Sequence, residues 1–313
     1  MNTEQKPIVE QESVNQLHIM KFGGSSVGKV DGVHNIGDIV TTERLDGQVV
    51  VVVSALNGTT DSLFEIADLM NNGEEKKAAD IFMATMGKHF DIAEQLMMSP
   101  FIKEQAMLQI AKTGLKLDNE ILDQDRNPEN KLDRIASFGE TLSTGLVVWY
   151  LRYRGVNAVA VDASTIVRTN SDFGKASPIW DETGVNARKF ISPLLKSRAV
   201  PVVTGFCGTT EWGEKTIMER GGSDVTASVL ARELGATRLT FYKDVDGVYD
   251  RNPHLFPDAK RYDELSLVQA DQIAKNGNKV LAQKAIEPLI GCNIQVEVRS
   301  TFFPFERGTI ISP

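Results

Sequence analysis

The chain has 313 residues, 42% hydrophobic and 24% charged, which suits a globular protein of one large domain or two lobes and argues against a disordered or fibrous chain. A net charge of −8 leaves no electrostatic footprint for nucleic acid or an anionic membrane, while small anionic ligands remain open. Two distant cysteines, Cys207 and Cys292, argue against a disulfide framework or a zinc site and fit reduced thiols in a cytoplasmic protein.

Residues 1–16, MNTEQKPIVEQESVNQ, lack the basic and apolar regions of a signal peptide and read as a flexible arm. No apolar run reaches the roughly 18 residues of a membrane span. LHIMKF reads as the first strand, followed by a glycine turn and a helix through HNIGDIVTTERL. QVVVVVSAL lacks period-2 alternation, as a strand buried on both faces of a parallel sheet does, so helices should cover both sides of that sheet.

Helical patterns continue in SLFEIADLMNN and EEKKAADIFMATMGKHFDIAEQLMM, and residues 71–130 read as a helical insertion. KLDRIASFGETLSTGLVVWYLRYRG reads as a further helix stopped by Gly155. VNAVAVDAS, AVPVVTGF, RLTFYKDV and IQVEVRS supply more strands, and DVTASVLARELGA another helix. The turn formers of FGKASPIWDE mark a boundary between lobes spanning 17–175 and 176–313. No internal repeat interrupts this α/β pattern.

Five stretches carry candidate chemistry. In HIMKFGGSSVGKV the spacing imitates a phosphate-binding Walker loop, but Val30 stands where that loop needs Ser or Thr for Mg²⁺. Gly23, Gly24 and Ser25 nonetheless sit at a strand-to-helix turn whose N–H groups can cradle phosphate; an ordinary glycine turn is the plain alternative. In MERGGSDVTAS, Arg220 offers a planar fork for carboxylate or phosphate, and Ser223 and Asp224 can cap the following helix.

In LTFYKDVDGVYDRNP a strand delivers Lys243 and Asp244 into a loop with Tyr249, suited to nucleotide or Mg²⁺ at a strand's carboxyl end, or to a solvated turn. The spacing does not meet that of a calcium loop. Glu140 lies in an apolar helix and requires a cation, either Arg134, a lysine or a substrate ammonium. Ser54, Thr59 and Thr60 follow the strongest strand, with helix capping by Thr60 or Asp61 as their plain role.

In this order, KFGGSSVG, VVSALNGTTD, SFGETLS, TGFCG, ERGGSDVTAS and KDVDGVYDRNP resemble the catalytic domain of aspartokinases, in the amino-acid kinase family, over residues 17–313. The resemblance implies a three-layer α/β/α sandwich with a mainly parallel central sheet, and transfer of the ATP γ-phosphoryl group to the β-carboxylate of L-aspartate. It implies Lys21 at the transferring phosphoryl, and Asp224 as a catalytic residue at a substrate-pocket position. Glu140 would take the substrate amino group, Arg220 its α-carboxylate, and Ser54, Thr60, Phe206 and Ser223 would complete the pocket. Gly23, Gly24, Ser25, Lys243, Asp244, Tyr249 and Lys279 would serve ATP, with Mg²⁺ on undetermined ligands.

The first lobe would then bind aspartate, the second ATP, and the protein would be a homodimer. Departures from the family pattern are Lys243 for a usual threonine, His254 for arginine, Glu219 for glycine, and Ala282 with Gln283 for a His-Pro pair. The sequence stops where most aspartokinases continue into ACT domains; if it is the whole protein, no feedback inhibition through such domains is expected, and a piece of a longer protein cut after the kinase domain is the plain alternative. Two other readings compete: a family member with another carboxylate or carbamate acceptor, and a catalytically silent regulatory subunit.

Overall fold

The computed structural model describes residues 16–123, 127–277 and 280–313. Most of the expected N-terminal arm, and Lys279, therefore lie outside the described residues.

In chain order the elements begin with β1 (Leu17–Phe22), α1 (Gly24–Val27), α2 (Val30–Glu43) and β2 (Gln48–Val53). A helical run follows, made of α3 (Thr59–Asn71), α4 (Glu75–Leu96), α5 (Pro100–Leu122), α6 (Lys131–Ala136) and α7 (Phe138–Tyr153). Next come β3 (Ala158–Val161), α8 (Trp180–Phe190), α9 (Ser192–Lys196), β4 (Val200–Thr204), β5 (Cys207–Thr209) and β6 (Lys215–Ile217). The chain then forms α10 (Gly222–Glu233), β7 (Arg238–Lys243), β8 (Glu264–Ser266), α11 (Leu267–Lys275), α12 (Gln283–Ile286), β9 (Gln295–Ser300) and β10 (Thr309–Ser312).

Eight strands form one sheet in the order β3-β4-β2-β1-β7-β9-β10-β8. Neighbours from β3 to β9 are parallel, β10 runs against β9, and β8 is parallel to β10. The β5–β6 pair forms a separate antiparallel hairpin. The expected mainly parallel sheet is present.

Each central strand feeds two cores through its period-2 alternation. Ile19 of β1 and Val50 and Val52 of β2 join one core with α8, α10 and α11, through residues such as Ala187, Leu230 and Ala270. Met20 and Phe22, with Val49, Val51 and Val53, join the opposite core with α2, α4 and α7, through Ile36, Leu96 and Leu146. This explains why QVVVVV shows no polar side: both faces are covered, giving the α/β/α sandwich.

The expected helix over KLDRIASFGETLSTGLVVWYLRYRG is two helices, parted at Ser137. Its stop is as expected: Gly155 has φ +75 and its N–H donates to the Arg152 carbonyl. The break places Glu140 in the first turn of α7 rather than deep inside a helix.

Candidate active site

Alternation along two adjacent strands builds the centre of the site. On β1, Leu17 and Ile19 face the core that holds α10, so Lys21 points the same way; on β7, Leu239 and Phe241 do the same for Lys243. The strands are parallel neighbours, with Lys21 opposite Phe241, so both ammonium groups emerge near the carboxyl edge of the sheet. There they meet the first turn of α10.

Asp224 in that turn receives both lysines: Lys21 Nζ lies 2.7 Å from Oδ1 and Lys243 Nζ 2.6 Å from Oδ2. Lys21 and Asp224 are each only 5% exposed, deep enough for their charges to act with little water between them. Burial works against the Asp224 charge, but Lys21 and then Lys243 overcome it and hold the carboxyl at about 2. Burial also lowers the Lys21 ammonium below its ordinary value, and Asp224 limits the fall. Two cations on one carboxylate leave this centre net positive.

Asp224 and Ser223 do not cap α10, as their sequence position had suggested. The cap is Gly221 in the left-handed region, φ +95, which frees both side chains to face the site. A Cβ at Gly221 would also lie 2.9 Å from the Cβ of Ala282. Gly221→Ala should therefore cost about 1–2 kcal/mol through the backbone conformation alone. Urea unfolding checks this, and unchanged stability would contradict it.

The same correction applies to α3. Its N-cap is Gly58, φ +81, with no side-chain cap, so neither Thr60 nor Asp61 has the capping role read from sequence. Thr60 lines a cavity of about 720 Å³ instead, together with Lys21, Ser54, Glu140, Arg220 and Asp224. Gly24, Phe206 and Ser223 line it too. Residues from both sides of the expected lobe boundary thus share one chamber.

Glu140 is almost fully buried in that chamber. Its Oε1 accepts the Ala55 N–H at 3.1 Å, and its Oε2 has no hydrogen-bond partner among the described residues. Burial pushes its carboxyl up to about 8, against the opposing pull of the Ala55 N–H and Lys21. Arg134 is not its missing cation, because Arg134 is engaged by Glu120, Asn130 and the Asn127 carbonyl. Arg220 is exposed at the rim and makes no ion pair among the described residues.

Three backbone positions shape the chamber. Phe206 takes φ +69, rare for a bulky residue, which turns the chain between β4 and β5. A Cβ at Gly205 would lie 2.4 Å from the Ser223 side chain, so glycine permits that turn to approach α10. At the glycine turn after β1, a Cβ at Gly24 would lie 2.7 Å from the Ala55 carbonyl.

A second cavity of about 630 Å³ adjoins the first, lined by Lys243, Asp244, Tyr249, Arg251 and His254 and walled by Leu255, Tyr262, Ile273 and Val280. The Tyr249 hydroxyl donates to Asp246 Oδ1 at 2.6 Å, and Arg261 holds Oδ2 at 2.6 Å. Burial and that hydrogen bond push the Tyr249 phenol up to about 12, so it remains protonated. Arg261, unremarked in the sequence, therefore fixes the loop that presents Tyr249; no local motif signals this partner, 15 residues from Asp246.

Asp244 is exposed beside this cavity, and no ion pair occupies it among the described residues. No cluster of three or more potential metal ligands occurs among the described residues. Mg²⁺ fits such a site when it arrives on nucleotide phosphates and takes one carboxylate, because it retains several waters and rarely uses an all-protein cage. Lys29, the Walker-like lysine, is exposed at the start of α2, with its ammonium 5.2 Å from the Phe302 ring centroid and outside both cavities.

The profile of the amino acid kinase family matches residues 16–300. Lysine-sensitive aspartokinase 3 of Escherichia coli (strain K12) is 32% identical over 299 residues, covering 95% of this chain and 64% of that protein. Chloroplastic aspartokinase 1 of Arabidopsis thaliana is 30% identical, covering 97% of this chain and 53% of that protein. The crystal structure of E. coli aspartokinase III in complex with aspartate and ADP superposes with a TM-score of 0.83 at 32% identity, covering 95% of this chain and 64% of that one. The chain thus spans less than two thirds of each of these relatives.

Proposed function

The chain belongs to the amino acid kinase family, and from that membership we propose that it is an aspartate kinase, transferring the γ-phosphoryl group of ATP to the β-carboxylate of L-aspartate. The observation that carries this reading is the set of ionisable groups facing one chamber: Glu140, Arg220, and Lys21 on Asp224. Aspartate bears a matching ammonium, α-carboxylate and β-carboxylate. The likeness to aspartokinases, one of them in complex with aspartate and ADP, supports the same acceptor.

In this reading the buried Glu140 Oε2 takes the ammonium and Arg220 the α-carboxylate, while Ser54, Thr60, Phe206 and Ser223 shape the pocket. ATP occupies the neighbouring cavity beside Asp244 and Tyr249, with its phosphates toward the chamber, near Gly23, Gly24 and Ser25. Lys279 is assigned to ATP by resemblance alone.

The β-carboxylate is already a nucleophile and needs no base. One of its oxygens forms a bond to the γ-phosphorus as the bond from that phosphorus to the bridging oxygen breaks, and the bridging electron pair leaves on ADP. Two anions must meet, so alignment and charge neutralisation dominate the barrier. Lys21 supplies positive charge at the contact, fixed by Asp224 before substrate arrives and so requiring little reorganisation. Mg²⁺, when bound through Asp244, would screen the phosphates further.

Glu140 makes aspartate binding pH-dependent. With its carboxyl at about 8 in the free protein, it is mostly neutral at pH 7, whereas a bound ammonium favours the ionised form. Binding therefore releases a proton, and KM for aspartate should fall by up to about tenfold per pH unit as pH rises toward about 8, then level. Glu140→Gln should give a high, flat KM profile; a flat wild-type profile would contradict this assignment. In the free protein the raised pKa also implies stability that is full below the ordinary 4.5 and lost as pH rises toward about 8.

We further propose a cytoplasmic homodimer; the two free cysteines support reduced surroundings. No helix among the described residues is long and apolar enough to cross a membrane. An acceptor panel tests the function directly: ADP release with Mg-ATP and L-aspartate, against L-glutamate, N-acetyl-L-glutamate and carbamate. L-aspartate should lead clearly; preference for another acceptor, or ADP release with none, would displace the reading.

A further inference from the structure

Among the described residues, Lys243 is the single residue that lines both cavities. Its ammonium reaches Asp224 Oδ2 across 2.6 Å on one side, and its neighbours Asp244 and Val245 line the second cavity on the other. Lys21 and Asp224 line only the first. Lys243 therefore stands where the two cavities meet, between the proposed donor and acceptor chambers.

The two lysines are also held differently. Lys21 is enclosed within β1 near the middle of the sheet, 5% exposed, while Lys243 ends β7 and is only partly buried, with a loop after it. Its four-carbon stem gives its head freedom to turn. Should Lys243 leave Asp224, Lys21 remains paired to the other carboxylate oxygen, so the departure strands no buried anion.

We propose that Lys243 is a second catalytic cation, resting on Asp224 in the free enzyme and passing to the γ-phosphate when ATP is bound, then accompanying the phosphoryl group into the acceptor chamber. This rests on the phosphoryl-transfer reading above and adds a division of labour. Lys21 is the stationary charge at the acceptor, and Lys243 is the mobile charge at the junction. Its ligand is specifically the terminal phosphoryl, which ATP carries and ADP lacks.

The test measures binding of ADP and of a non-hydrolysable β,γ-imido ATP analogue by calorimetry with Mg²⁺, alongside steady-state kinetics, for wild type, Lys243→Met, Lys243→Gln and Lys243→Arg. Lys243→Met and Lys243→Gln should weaken the analogue about tenfold while ADP affinity stays within about twofold, as loss of a charge-assisted contact to one phosphate group requires. Their kcat should fall about 100-fold or more, with KM for aspartate little changed, and Lys243→Arg should recover much of the loss. Equal weakening of ADP and the analogue, or wild-type kcat in Lys243→Met, would overturn the proposal by leaving Lys243 a structural counterion. Loss of γ-phosphate discrimination in a protein that proves inactive on aspartate would retire the acceptor assignment while supporting this role. Wild-type protein that binds neither nucleotide overturns both.

Discussion

Lys21→Ala should abolish nearly all turnover, lowering kcat by about 10³-fold or more, whereas Lys29→Ala should change it by less than about threefold. Lys21 Nζ is buried on Asp224 and faces the chamber, so in the proposed reaction its charge would act through little water on an oxygen that gains charge as the phosphoryl moves. Lys29 is exposed beside the Phe302 ring and lines neither cavity. Steady-state kinetics on both variants decide the matter, and the reverse ranking would restore the Walker-like lysine. Because Lys21→Ala leaves Asp224 with Lys243, the variant should fold, which circular dichroism verifies.

Asp224→Asn should be damaging in two separable ways. Asp224 is the shared countercharge for two lysines, and its removal leaves two cations facing each other, one of them fully enclosed. Breaking a buried pair in this manner costs about 3–5 kcal/mol. The Lys21 ammonium, already lowered by burial, would fall further and lose part of its charge at neutral pH, taking kcat down by roughly 10²-fold or more.

Two further measurements test this explanation. In a Lys21→Met background, Asp224→Asn should be less destabilising than in wild type, since one stranded charge is gone; additive losses would contradict the shared-countercharge account. In wild type, the carboxyl held at about 2 contributes stability above its ordinary 3.8 that is lost as pH falls through about 2. Acid unfolding of Asp224→Asn should lack that contribution.

The six strands expected from sequence, LHIMKF through IQVEVRS, all occur, most plainly β2, whose continuous β-branched run is buried on both faces. The β5–β6 hairpin and β8 escaped: strands of three residues carry too little pattern to separate them from turns. Ser137 gave no warning of a break between α6 and α7, since the apolar spacing continues across it.

At the candidate site, the glycine motifs mark loops that line the chamber, but the capping task read for the residues after them is not the one they have. Ser223, Asp224 and Thr60 resemble caps in sequence, yet Gly221 and Gly58 take the cap positions with left-handed backbone, which glycine permits. The convergence of Lys21 and Lys243 on one carboxylate was within reach, because both follow period-2 apolar positions on their strands; what was missing was that β1 and β7 are neighbours, a fact of topology. Arg261 holding Asp246 had no local signal at all.

The central claim is that the product is an acyl phosphate on the side chain of aspartate, and hydroxylamine traps such a product directly. Purified protein with Mg-ATP, L-aspartate and hydroxylamine should yield β-aspartyl hydroxamate, identified by mass, in step with ADP, and Lys21→Ala should yield almost none. ADP formed without hydroxamate above the enzyme-free control would contradict the account.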